Sequence, residues 1–284
     1  MYRQITALIT IALGGSMFLA CAPGTPERSV ATPATDTVVE RPIATPAAVS
    51  VVERPIATPA AVSVQPRASD KVAICPAALP GVLQNIGDTP ASPYLVHHPS
   101  AGVTDVPTVI FIPGGAGLQR NARRAWESYL SDGEGVDSFR IIIPYSADNE
   151  FLQEFERTFI ILDEVLACYG GDPEKVHVAG VSNGGLAAFA LMLQRPERFA
   201  TLLGAPGEFP EMDPTRWGKV LAGRAVFNGV GELDDAWKPE VKETHDALLS
   251  AGIDSNYVEF PVQGHTAKEG FDKSVLFDFW IKRS

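Results

Sequence analysis

From residue 71 onward, short runs of β-branched and aliphatic residues alternate with longer stretches in which apolar positions recur at helical spacing. "PTVIFIP" at 107–113 and "FRIIIPY" at 139–145 are continuous apolar runs, which predicts strands covered on both faces. "EFLQEFERTFIILDEVLACYG" at 150–170 places Phe151, Phe155, Phe159 and Leu162 on one face and predicts a helix. "KVHVAG" then predicts a strand and "GGLAAFALMLQR" a helix closed by Pro196. "RFATLLGA", "RAVFNGV" and "SNYVEFPV" continue the strands, separated by helical "RWGKVLAG" and "PEVKETHDALLSAG", and the chain ends on "KSVLFDFWIKR". Such alternation predicts an α/β architecture: a mostly parallel, doubly wound sheet with helices on both faces and a site at the carboxyl ends of its strands.

Composition supports this picture for residues 71–284 and changes it for the N-terminus. Of 284 residues, 45% are hydrophobic and 8% aromatic, enough for a substantial core. A formal charge of −11 argues against a phosphate-binding surface, so nucleic acid is not an expected partner. Residues 1–20 carry one positive charge at Arg3 and an apolar run from Ile5 to Ala20, short for a membrane span, and read as an export signal. The following "VVERPIATPAAVS" at 38–50 repeats unchanged at 51–63, with prolines throughout. A 13-residue period of this composition offers no face to bury, so residues 21–70 are expected to be a disordered spacer. Its upper reach is roughly 150 Å in polyproline II form.

The "FLAC" that ends the signal resembles a bacterial lipobox, with Phe18 where leucine is usual. The resemblance implies lipidation of Cys21, a membrane anchor for an exported, cell-envelope protein, and a purpose for the spacer. The alternative is plain cleavage and secretion. With Cys21 so used, Cys75 and Cys168 form an even pair in an oxidising compartment. A disulfide and two separately buried thiols are both open.

Chemistry concentrates at Gly180-Val181-Ser182-Asn183-Gly184, which fits Gly-x-Ser-x-Gly between a predicted strand and a predicted helix. That context makes Ser182 a candidate nucleophile, with the glycines required by close approach across the bend. A serine hydroxyl needs a base, and the base an orienting carboxylate. His265, in "QGHT" after a predicted strand, is the expected base; His245 is expected on an exposed helix face. His97, His98 and His177 suit structural roles. "VFNGVGELDDAW" offers Glu232, Asp234 and Asp235, and its Gly-Glu-x-Asp-x-x-Trp spacing points to Asp234, with Asp235 as alternative and Glu208 and Asp213 behind them. Oxyanion donors are expected at the Asn183 amide and in "FIPGGAG", at Gly115 or else Ala116.

On these motifs, residues 93–282 resemble an α/β-hydrolase. "DPEKVHVAGVSNGG" is similar to the polyhydroxybutyrate depolymerase and feruloyl esterase group, and "FIPGGAG" to the His-Gly-Gly-Gly oxyanion loop with Pro113 in place of histidine. The resemblance implies hydrolysis of a carboxylic ester, small or at a polymer end, through an acyl-enzyme on Ser182, with no metal or organic cofactor. The segment from Gly204 to Gly223 is short for a large lid, which implies an open site. A peptidase related to the prolyl oligopeptidases and a non-catalytic surface lipoprotein are the alternatives.

Overall fold

The computed structural model describes residues 75–91, 93–101, 105–146, 155–209 and 213–284, all within one unit spanning Arg67–Ser284. The expected signal segment, Cys21, the tandem repeat and Phe151 lie outside the described residues.

Eight strands make one sheet: β1 Leu83–Ile86, β2 Tyr94–His97, β3 Thr108–Ile112, β4 Arg140–Pro144, β5 Val176–Gly180, β6 Thr201–Gly204, β7 Ala225–Gly231 and β8 Asp254–Phe260. Their order is β1-β2-β4-β3-β5-β6-β7-β8. β1 pairs antiparallel with β2, and β2 with β4; every other pairing is parallel. The six strands expected from sequence are the parallel six. After β3 the chain moves to one side to make β4, then returns to lay β5 along the other side of β3. This switch opens a crevice between the loops that follow β3 and β5, where such sheets bind ligands.

Side chains alternate across the sheet. Ile110, Ile112, Ile142, Val178 and Leu202 face one core with Phe159, Leu162, Phe189, Met192 and Trp217. Val109, Phe111, Ile141, Ile143, Ala179 and Leu203 face the other with Ala125, Tyr129, Phe277 and Trp280. Helices α2 Phe155–Tyr169, α3 Asn183–Gln194, α4 Pro214–Val220 and α5 Lys238–Ser250 supply the first layer; α1 Gln119–Ala125 and α6 Ser274–Ile281 supply the second. Burial on both faces is why the strands read as unbroken apolar runs. Of the two arrangements left open for the cysteines, the structure has the disulfide: Cys75 is joined to Cys168 on α2, with Cα atoms 5.3 Å apart. No helix among the described residues is long and apolar enough to cross a membrane.

Candidate active site

Ser182 sits between the end of β5 and the first residue of α3, with φ 56° and ψ −127°. A side-chain-bearing residue at positive φ is strained, by about 1–3 kcal/mol, and persists only where its surroundings hold it. Here the backbone holds it on both sides. The Val181 N–H donates to the Ile112 carbonyl at the end of β3 (3.3 Å), and the Ser182 N–H donates to the Pro206 carbonyl beyond β6 (2.8 Å). The flanking glycines are steric necessities. A Cβ on Gly180 would strike the carbonyl of Gly184, and one on Gly184 would strike the carbonyls of Ile112 and Pro113.

The Ser182 hydroxyl donates to His265 Nε2 (2.9 Å), and His265 Nδ1–H donates to Asp234 Oδ2 (2.8 Å). Asp234 is 6% exposed, while the His265 side chain is 42% exposed, so the buried carboxylate lies behind an imidazole that faces the crevice. Two loops converge to make this pair. Asp234 follows β7, its N–H donating to the Gly231 carbonyl (3.0 Å), and its own carbonyl accepts from Trp237 and Lys238 at the start of α5. His265 follows β8, and its loop is tied back to β7: Leu233 N–H donates to the Gln263 carbonyl (2.8 Å) and Val262 N–H to the Glu232 carboxylate (2.8 Å). The Trp237 ring lies beside the imidazole, with centroids 5.6 Å apart.

The other candidates are placed elsewhere. Asp235 is on the surface, 3.5 Å from Lys238. Asp213 caps α4 by accepting from Arg216 N–H (3.1 Å). Glu208 is half-buried; burial raises its pKa, as do the charges of Glu240 and Glu243. His245 differs from expectation. It is half-buried against β8, within 2.8 Å of Ser255 Oγ, because the helix-to-strand interface closes over one edge of α5. His97, His98 and His177 are buried: His97 beside Trp126, His98 against Tyr169, and His177 between Thr201 and Ser284. Burial pushes His98 and His177 down to about 4, so both are neutral at pH 7.

A cleft of about 220 Å³ opens over the serine, lined by Gly114, Gly115, Asn121, Arg124, Ala125 and Tyr129 as well as Val181, Ser182, His265 and Thr266. Gly115 lines it and Ala116 does not. Gly115 holds φ 64°, and its carbonyl accepts from Asn183 Nδ2 (3.0 Å), which fixes the loop after β3 against the elbow. As the first residue of α3, Asn183 has no preceding-turn carbonyl for its own N–H, which leaves that donor at the helix start.

Tyr129, Arg124 and Asn121 were not singled out from sequence. Tyr129 accepts from the Ala267 N–H (3.0 Å), buttressing the loop that carries His265, and burial pushes its phenol up to about 12. The available signal was the apolar spacing of Ala122, Ala125 and Tyr129 in "RNARRAWESYL", which marks a helical face. Among the described residues, no group of three His, Cys, Asp or Glu side chains is placed to hold a metal ion.

No family model matches the chain, and no curated protein does. Solved structures do match. An S-formylglutathione hydrolase from Staphylococcus aureus superposes with TM-score 0.53 at 12% identity, over 71% of this chain and 97% of that one. A truncated carbohydrate esterase from gut microbiota gives 0.52 at 14%, over 74% and 96%. A thermostable esterase gives 0.50 at 17%, over 70% of this chain and 60% of that one. Together with the sheet order and the strand-to-helix elbow, these likenesses show that the chain has the α/β-hydrolase fold.

Proposed function

We propose that this chain is a serine esterase that cleaves carboxylic esters through an acyl-enzyme. The observation that carries the reading is the unbroken hydrogen-bond series from Ser182 through His265 to Asp234, standing on a strained elbow that opens into a cleft. In this reading the Ser182 Oγ attacks the ester carbonyl carbon as its proton passes to His265 Nε2. Asp234 accepts from Nδ1–H, holds the tautomer that leaves Nε2 free to take the proton, and stabilises the imidazolium. The oxyanion accepts from the Asn183 N–H and from the Gly115 N–H, with Ala116 as the alternative second donor. As the tetrahedral adduct collapses, His265 returns the proton to the departing alcohol. Water then repeats the sequence on the acyl-enzyme, releasing the acid and restoring Ser182. The like-folded structures named as esterases and as an S-formylglutathione hydrolase support acyl chemistry on this fold.

The test is a panel of p-nitrophenyl and feruloyl esters. The wild type should hydrolyse at least one, and Ser182→Ala should lower turnover by roughly four orders of magnitude or more with its fold intact. Retained turnover in that variant would reject the reading.

The same proposal extends to location. Residues 1–20 direct export, Cys21 carries the lipid, residues 22–70 act as a tether, and the Cys75–Cys168 disulfide supports an oxidising compartment. Detergent partition of the native protein, lost in Cys21→Ser, tests the tether.

A further inference from the structure

Resting on the esterase reading, we propose that Arg124 makes an anion subsite in the cleft, so that the enzyme selects esters carrying a second, ionised carboxylate. Arg124 lines the same cleft as Ser182 and His265. It is exposed, and among the described residues its guanidinium makes no hydrogen bond or ion pair. Glu127, one turn further on, is the nearest acid along the chain and does not pair with it; its backbone carbonyl accepts from Lys273 Nζ and Ser131 Oγ. Among the described residues, no acidic side chain lines the cleft. The Asp234 carboxylate is buried behind the imidazole and hydrogen-bonded to it.

The charge around Arg124 strengthens the argument. Helix α1, "QRNARRA", has seven residues, of which Arg120, Arg123 and Arg124 are cationic and none is acidic. Arg120 and Arg124 stand one turn apart, a like-charge spacing that disfavours a helix. The chain as a whole carries −11, so three arginines on one short helix, one of them in the cleft wall, run against the overall charge. A guanidinium offers paired N–H donors in a planar fork that fits a carboxylate. The remaining polar lining, Asn121, Tyr129 and Thr266, is neutral, so Arg124 is the one fixed charge on the described walls.

A guanidinium pairs equally with a carboxylate on either side of the scissile bond, so the test has two arms. Mono-p-nitrophenyl glutarate against p-nitrophenyl pentanoate places it on the acyl half; 4-acetoxybenzoate against phenyl acetate places it on the alcohol half. For each pair the quantity read is the ratio of kcat/KM, charged over neutral, in the wild type, Arg124→Gln and Arg124→Lys. In at least one arm the ratio should fall about 10-fold in Arg124→Gln, the scale of a charge-assisted hydrogen bond, with Arg124→Lys between the two. The wild-type ratio in that arm should also drop with added salt, because the guanidinium is exposed. Unchanged ratios in both arms would overturn the subsite while leaving the esterase reading in place. Failure of the wild type on all four esters while a feruloyl ester is cleaved would overturn the subsite alone, and failure on every ester of both sets would overturn both. Arg124 is a surface residue, so the variants should fold, which a thermal melt checks.

Discussion

At the residue scale, the site depends on a choice between adjacent carboxylates that spacing alone does not decide. A loop absorbs a one-residue shift easily, so "GELDDAW" is compatible with either aspartate facing the imidazole. The fold separates them by the turn that opens α5. Asp234 is drawn inward by its bond to Gly231, whereas Asp235 is turned out, its side chain 92% exposed, toward Lys238. Replacing Asp234 by Asn keeps the volume and removes the charge that, in the proposed mechanism, fixes the imidazole tautomer, so turnover should fall by roughly three to four orders of magnitude. Asp235→Asn should change it little. Steady-state kinetics on one ester decides the matter, and equal mild losses in both variants would mean that neither carboxylate orients His265. Ser182 was legible because its requirement is local: glycines where neighbouring backbone leaves no room for a Cβ. Arg124 and Tyr129 were not, because what matters about them is which loop they meet across the crevice.

At the element scale, the six parallel strands were legible because each is apolar on both faces. The first two strands were not. "LQNI" and "YLVH" are four residues long, sit at the antiparallel side of the sheet, and include polar positions that break any apolar run. Helix α1 is also short, and it continues directly into a π-turn at Trp126–Leu130, which spoils a 3.6-residue period. Strand β5 carries a consequence of its own. It holds His177 fully buried five residues before Ser182, within 2.9 Å of Thr201 Oγ1. Burial lowers its pKa to about 4 in the folded protein, against about 6.5 in the unfolded chain. The unfolded state therefore binds more protons between those values, and stability falls as pH drops from about 6.5 toward 4, by up to about 3 kcal/mol from this group. His98, lowered by burial and by Arg140, acts in the same direction. Urea unfolding at a series of pH values should show this slope, and His177→Gln should flatten it; a stability independent of pH in that window would contradict the account.

At the scale of the whole molecule, the proposed site lies where the chain reverses its path across the sheet. The loops after β3 and β5 flank the switch, so the glycine loop, the elbow serine and the cleft share one edge of the sheet. The loops after β7 and β8 bring Asp234 and His265 to the same edge from adjacent parallel strands. Order along the chain thus places the serine, acid and histidine in sequence, with no single segment containing the site. Among the described residues, Ser182 alone is a serine bonded to a histidine that is itself bonded to a carboxylate; His177 and His245 bond only hydroxyls. This makes the intact protein the right object for the decisive measurement: treatment with a fluorophosphonate, followed by peptide mass mapping. The account predicts one stoichiometric adduct, on Ser182, lost in His265→Ala. A full-occupancy adduct on any other serine, or no adduct on the folded wild type, would contradict it.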